Sequence, residues 1–482
     1  MNIKSKNASQ EAIKAMESIV GSNNLLTSES DRFVYGFDAG MHRKLPDAVA
    51  RPKTAAEVSE IIKLANQHDF AIIPRGAGTA LCGHTTPVAG GVILDLQRMN
   101  KILSIETENI LCVVQPGVIC DQLNKALKPY RFFMPGPASS EAATIGGMVS
   151  TNASGDKALK YGATRDYVLA VEAVMPTGEI VRFGSPTLKN SSGYQMARLL
   201  VGAEGTLGVI TEITLKLAPA PKKTAACVAA FTELVDAGRA VSTIVTEPIF
   251  PAQLELMCDM CIAAVNKATD LQLPECGGIL LIACDGEEQT VKSEIGRITE
   301  ICQQAGAHQV DFTDDSAKIA ELWKGRKALS SSLSALKPEY SCVMLADDMA
   351  VPISKVPDAI ERILAIQDRY DILIPPYGHA GDGNLHTKVL MDVKNPDHWT
   401  QADEAVRELY DMVLELGGTV SGEHGVAISK AEYFRKECKD AIPFMAAIKN
   451  ALDPQNIMNP YKSFQWDGNF LHGLRYPVKE YQ

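Results

Sequence analysis

Residues 374–386, Ile-Pro-Pro-Tyr-Gly-His-Ala-Gly-Asp-Gly-Asn-Leu-His, set His379 and His386 seven positions apart with Gly381, Asp382, Gly383 and Asn384 between them. A helix with that spacing would carry both imidazoles on one face, but glycines mixed with Asp and Asn disfavour helix. On one straight strand the two side chains would point to opposite faces. A tight turn remains: Asp382-Gly383 is a hairpin signal, the apolar run before it reads as a strand, and His386 begins the return. Both rings can then converge on one point, which suits a divalent metal; a pair of polar loop histidines is the alternative.

A second stretch, Gly-Gly-Thr-Val-Ser-Gly-Glu-His-Gly (417–425), sets Glu423 and His424 among glycines that let backbone approach a ligand. Adjacent side chains of extended chain point apart, so one can bind a metal while the other faces a substrate. A His-His-Glu set leaves coordination positions open, as catalytic metal sites do. A polar turn between strand and helix is the alternative.

The chain of 482 residues is too long for one ordinary core and suggests about three domain-sized units. Its net charge of −11 argues against nucleic acid and anionic membrane surfaces as partners, and obliges an anionic substrate to find positive charge inside its site. The start, MNIKSKNASQ, lacks the apolar core of a signal peptide, and the longest apolar run, GGILLIAC (277–284), is strand-sized, so no membrane span is expected. Eleven cysteines without a framework fit reduced thiols and a cytoplasmic location. The one CxxC, Cys258 to Cys261, has no second pair and reads as buried packing rather than as a cluster site.

Along the chain, 9–20 reads as an amphipathic helix and 47–74 as strand, helix, strand, with Thr54 and Glu57 as a capping box. PRGAGTALCG (74–83) offers backbone N–H groups that can face phosphate, without matching the dinucleotide fingerprint. PGPASSEAATIGGMVSTNASG (135–155) buries too little apolar area to be ordered for its own sake; its natural use is as a backbone surface wrapped around a large ligand. A hairpin spans 168–184, a glycine turn and strand 202–217, and proline-rich 218–223 marks a domain boundary. Beyond it, alternating strands and helices suggest an antiparallel sheet with helices on one side, a helix over 316–336 carrying Trp323 and Arg326, and a helix over 402–415. The aromatic tail after Ser463, with Phe464, Trp466, Phe470 and Tyr476, is expected to tuck against a protein surface.

The ordered set PRGAGTALCG, PGPASSEAATIGGMVSTNASG, GAEGTLGVIT, LWKGRK, GHAGDGNLH, SGEHG and DPQNIMNP resembles the FAD-linked oxidase family of the vanillyl-alcohol-oxidase superfamily. Within it, the chain is similar to FAD-dependent D-lactate dehydrogenases and the catalytic subunit of glycolate oxidase. The resemblance implies an α+β chain in four parts. They are an N-terminal helical cover (1–40), a PCMH-type FAD-binding domain of two subdomains (41–220), a ferredoxin-like substrate and metal domain with a helical C-terminal segment (221–461), and a tail (462–482).

It further implies that Pro74, Arg75, Gly76, Ala77, Gly78, Thr79, Ala80 and Gly83 hold the pyrophosphate of FAD, and that Pro137, Ser139, Thr144, Gly147, Ser150, Asn152 and Ser154 line the flavin. Gly202, Glu204, Gly205, Thr206, Gly208 and Ile210 would close over it, and Asn459 would approach the isoalloxazine. Members with covalent flavin carry a histidine early in the first glycine loop; Gly78 and Thr79 stand there, so FAD is expected to be non-covalent, with His84 structural. Metal-containing relatives imply His379, His386 and Glu423 as ligands to zinc, iron or manganese, His424 as general base and Arg326 on the substrate carboxylate.

Ala346 stands where dicarboxylate-oxidising relatives have a lysine, which favours a small monocarboxylate. The expected reaction is oxidation of a small D-2-hydroxy acid, D-lactate to pyruvate first, with hydride passing to flavin N5. Electrons would leave to an electron-transfer flavoprotein or an iron–sulfur subunit. Glycolate and D-2-hydroxyglutarate are the alternative substrates, and a non-catalytic flavin-binding subunit is the alternative without chemistry.

Overall fold

A computed structural model describes residues 3–345 and 347–468; Ala346 and the tail aromatics Phe470 and Tyr476 lie outside the described residues. The chain falls into two compact units. The first comprises the described parts of Met1–Ser154, Ala163–Ala220 and Glu423–Gln482, and the second Gly155–Gly162 with Pro221–Gly422.

The first unit is built on two larger sheets, with Phe132–Phe133 and Ala218–Pro219 pairing separately. In one, Ala48–Ala50 and Ile72–Arg75 run parallel to Val92–Asp95 between them, and Leu25–Leu26 adds an antiparallel edge. The crossover helix Ala55–His68 buries Val58, Ile61, Ile62, Leu64 and Ala65, the face its apolar spacing defines. Thr54 caps it by accepting from Glu57 N at 3.2 Å; the Glu57 carboxylate accepts from Lys53 N at 2.6 Å, one residue before the position of a closed capping box. Helix Gln10–Val20 packs Ala12, Met16 and Val20 into the same core, which includes Ile457 and Met458. The other sheet is antiparallel, in the order Ile102–Glu106, Leu111–Val114, Val209–Lys216, Val168–Val174, Ile180–Gly184.

The second unit carries a seven-stranded antiparallel sheet in the order Gln309–Thr313, Lys223–Phe231, Gly278–Gly286, Gln253–Cys258, Pro376–Gly378, Asn384–Thr387, Met349–Ala350. All of Gln253–Cys258 and every residue of 225–231 are buried, so neighbours that point to opposite faces are both shielded. The sheet is therefore covered on both faces rather than on one; Ile319 and Trp323 of helix Ser316–Ser332 pack on Ala226 and Ala283. Cys258 and Cys261 are buried at a strand-to-helix junction, their sulfurs 3.5 Å apart, and burial pushes the Cys261 thiol far above its ordinary value. The helix expected from 402 begins at Pro396, because Asn395 caps it through Asp397 N at 3.0 Å and Pro396 is tolerated in the first turn.

Candidate active site

In the first unit, three glycine-rich segments meet. Thr144 caps the short helix Ile145–Thr151, and a Cβ added to Gly76 would stand 2.3 Å from its hydroxyl, so only glycine permits that approach. Gly202 N and Glu204 N donate to Val149 O and Ser150 O at 2.9 and 2.8 Å, joining the third segment to the second. Asn459 donates to His84 O and Glu204 O at 3.0 and 2.8 Å, while its Oδ1 is buried with no hydrogen-bond partner among the described residues. An orphaned buried acceptor beside backbone stripped of side chains fits a polar cofactor that brings its own donor.

Buried charges brace this cradle. Asp38 accepts from Gly83 N and His84 N at 2.8 and 2.9 Å, while Lys462 donates to Gly83 O at 2.7 Å and to Thr86 O. Burial raises the Asp38 carboxyl and lowers the Lys462 ammonium to about 7. Glu204 receives Val426 N and Ala427 N at 2.7 and 3.0 Å and stands 3.2 Å from His84 Nε2. Burial alone would raise its carboxyl, but His84 and the two backbone donors hold it below the ordinary glutamate range. Glu204 thus ties the cradle to the 425–427 backbone.

In the second unit, Pro376–Gly378 and Asn384–Thr387 form the hairpin, with Tyr377 opposite His386. The turn is a single 3₁₀ turn over Ala380–Asp382 closed by Gly383 at φ 82°, where a Cβ would stand 2.1 Å from Val351 O. The imidazoles of His379 and His386 lie with ring centroids 5.3 Å apart and planes at 86°. His379 Nδ1 pairs with Glu255 Oε1 at 2.6 Å and His386 Nδ1 with Asp347 Oδ1 at 2.9 Å. Each ring thus has one nitrogen committed to a buried carboxylate, which directs any metal bond to Nε2; this is the pattern of histidine ligands oriented by carboxylates.

Glu255, 1% exposed, also receives Arg326 Nε and Nη2 at 2.7 and 2.6 Å. Burial pushes its carboxyl up, but Arg326 and His379 outweigh that and keep it ionised below the usual glutamate range. The Arg326 guanidinium stands 5.3 Å over the Tyr377 ring. Asp348 receives Asn384 Nδ2, Ser421 Oγ and Gly422 N at 2.8, 2.9 and 3.1 Å, fixing the chain immediately before Glu423.

Of the residues expected to act together, His379, His386 and Arg326 meet within the second unit, Arg326 through Glu255. Glu423 and His424 open the last segment of the first unit, with His424 Nε2 3.4 Å from Glu423 Oε1. Glu255, Asp347 and Asp348 were not read from the sequence as site residues. Their signal is a charged residue inside an apolar run, QLELMC or LADDMA, since a buried acid is rare unless paired. Should the histidine pair hold a divalent metal, replacing Glu255 by glutamine is expected to weaken its binding about 10- to 100-fold, because the His379 ring loses its anionic partner. Metal retained through dialysis against a graded chelator series measures this; retention equal to wild type would remove Glu255 from the site.

The sequence matches the FAD binding domain family over residues 46–184 and the family of FAD linked oxidases, C-terminal domain, over residues 220–463. The chain belongs to the FAD-linked oxidases and is an FAD-linked oxidoreductase. It is 38% identical over 453 residues to the glycolate oxidase subunit GlcD of Bacillus subtilis (strain 168), covering 93% of this chain and 96% of that one. It is 32% identical over 464 residues to the mitochondrial D-lactate dehydrogenase [cytochrome] of Arabidopsis thaliana, covering 95% and 80%. Solved structures of p-cresol methylhydroxylase (TM-score 0.77, 18% identity, covering 95% of this chain and 98% of that one) and of 4-ethylphenol oxidase from Gulosibacter chungangensis (0.76, 19%, 96% and 99%) share its fold. That likeness makes the architecture a PCMH-type α+β fold. Among the described residues no helix is long and apolar enough to cross a membrane.

Proposed function

We propose that this chain oxidises a small D-2-hydroxy acid, D-lactate to pyruvate first, using non-covalent FAD and a divalent metal. The observation that carries the reading is the pair of buried imidazoles, each with Nδ1 held by a buried carboxylate. We assign the metal to His379, His386 and Glu423, where zinc, iron or manganese each tolerates the ligand set. We assign FAD to the 74–83, 137–154 and 202–210 segments with Asn459, in the domain spanning 41–220, and substrate and metal chemistry to 221–461.

When bound, the metal supplies Lewis-acid polarisation of the substrate hydroxyl and FAD accepts the hydride. The chain's own residues do the rest. His424 takes the hydroxyl proton as the general base. Arg326 offers a directed N–H edge to the carboxylate. Glu255 and Asp347 keep the two ligand rings in the orientation and tautomer that direct Nε2 to the metal.

Electrons would then pass to a protein, an electron-transfer flavoprotein or an iron–sulfur subunit. The similarity to a protein named as a glycolate oxidase subunit supports partnership of that kind, and favours glycolate as the second reading of the substrate. Eleven cysteines, all present as thiols, suit a cytoplasmic location.

A panel of D-lactate, L-lactate, glycolate and D-2-hydroxyglutarate with an artificial electron acceptor tests the assignment. D-Lactate is expected to bleach the flavin and to give the highest kcat/KM. Preference for glycolate would move the chain to the second reading, and no bleaching by any of the four would refute hydroxy-acid oxidation.

A further inference from the structure

The first unit holds a cleft that the chemistry above leaves unused. Its volume is about 580 Å³, within the range of small-molecule sites, and most of its lining residues are polar. One wall is helix Gln10–Val20. Ala12, Met16 and Val20 of that helix enter the core, whereas Gln10, Ile13, Lys14 and Glu17 form a second stripe, at i, i+3, i+4 and i+7, that lines the cleft. The 22–32 segment, ending on Arg32, makes another wall, and Asp47 contributes a carboxylate.

The charges of this cleft do not satisfy one another. Half-buried Arg32 gives one N–H to the protein, from Nη1 to Pro46 O at 3.1 Å, and its Nε is buried without a hydrogen-bond partner among the described residues. Lys14 and Glu17 are exposed, and neither has an ion-pair partner among the described residues, although one helical turn separates them. Asp47 is compensated: its Oδ2 accepts from Ala8 N and Gly91 N, both at 2.8 Å, and the Lys44 ammonium acts on it as well. Two cations and one carboxylate therefore remain for a ligand. The underused Arg32 fork is what separates this cleft from an ordinary solvated helix face, since a planar guanidinium suits a carboxylate.

We propose that the cleft binds a small zwitterion of the amino-acid class, its carboxylate taken by Arg32 with Lys14 and its ammonium by Glu17. A plain anion would be set against the Glu17 carboxylate, and a plain cation against Arg32 and Lys14. A ligand carrying both signs meets each charge with its opposite. The site lies outside the proposed function and stands whether or not the chain oxidises a hydroxy acid.

The test screens the purified flavin-loaded protein by thermal unfolding against each of the twenty standard amino acids, with inorganic phosphate beside them; titration calorimetry then gives affinities. At least one amino acid is expected to raise Tm with concentration, as a ligand of the folded state must. Arg32→Gln is expected to weaken its binding about 10- to 100-fold, the range for a lost hydrogen bond between charged groups. Glu17→Gln should weaken it about 2- to 5-fold, as loss of an exposed pair does. That variant should bind the N-acetyl derivative, which lacks the ammonium, as wild type does. FAD content and turnover should match wild type in both variants. No rise in Tm with any of the twenty, a rise with phosphate alone, or equal affinity in wild type and Arg32→Gln would each overturn the proposal. Should Arg32→Gln fail to fold, Lys14→Gln at its exposed helix position takes its place, and an unchanged affinity there overturns the site.

Discussion

Replacing His424 by alanine is expected to lower turnover by about 10²- to 10⁴-fold, the usual contribution of a positioned general base, while FAD stays bound. The side chain is partly exposed and stands 3.4 Å from the Glu423 carboxylate. The cradle segments are braced by Asp38, Glu204, Lys462 and Asn459, none of which relies on the His424 ring for the hydrogen bonds described. A loss confined to kcat, with the flavin spectrum and metal content of wild type, is therefore the signature to seek in steady-state and single-turnover kinetics. Turnover within about tenfold of wild type would put the proton transfer elsewhere.

His379→Ala should remove metal and activity together. Its Nδ1 is held by Glu255 at 2.6 Å, so the ring has one orientation in which to offer Nε2. Removing one of the three proposed ligands would leave too few for a divalent ion that needs vacant positions for substrate. The variant also leaves Glu255 paired with Arg326 alone, so the fold keeps a compensated carboxylate and should tolerate the change. Metal analysis is expected to give about one ion per wild-type chain and none in the variant, and activity to fall by more than about 10³-fold, since in the proposed function the metal would supply both acidification and orientation of the substrate. An active variant without metal would refute the metal assignment at a stroke, whereas an inactive variant with metal would reassign His379 to substrate positioning.

The two outcomes separate two halves of the reading. His424 tests where the proton goes, and His379 tests what acidifies it. Neither depends on which hydroxy acid the chain prefers, which the substrate panel addresses.

What the sequence determined by itself is local. Gly383 must adopt a positive φ with the backbone of Val351 against it, and Asp382-Gly383 announces such a turn within two residues, so the hairpin bearing His379 and His386 was legible. The same holds for the helix over Ala55–His68, whose apolar spacing and Thr54 cap lie within one segment. The ordered glycine motifs likewise sufficed for the family and its fold, because backbone that must approach a ligand excludes side chains whatever lies around it. Only the tertiary structure decided which carboxylate faces which ring. Glu255 lies 124 positions from His379, and Asp347 lies 39 from His386. It also decided that Glu255 neutralises Arg326. Periodicity tells which face of an element is buried, but not which element comes to lie against it; that follows from strand order and packing across the whole sheet.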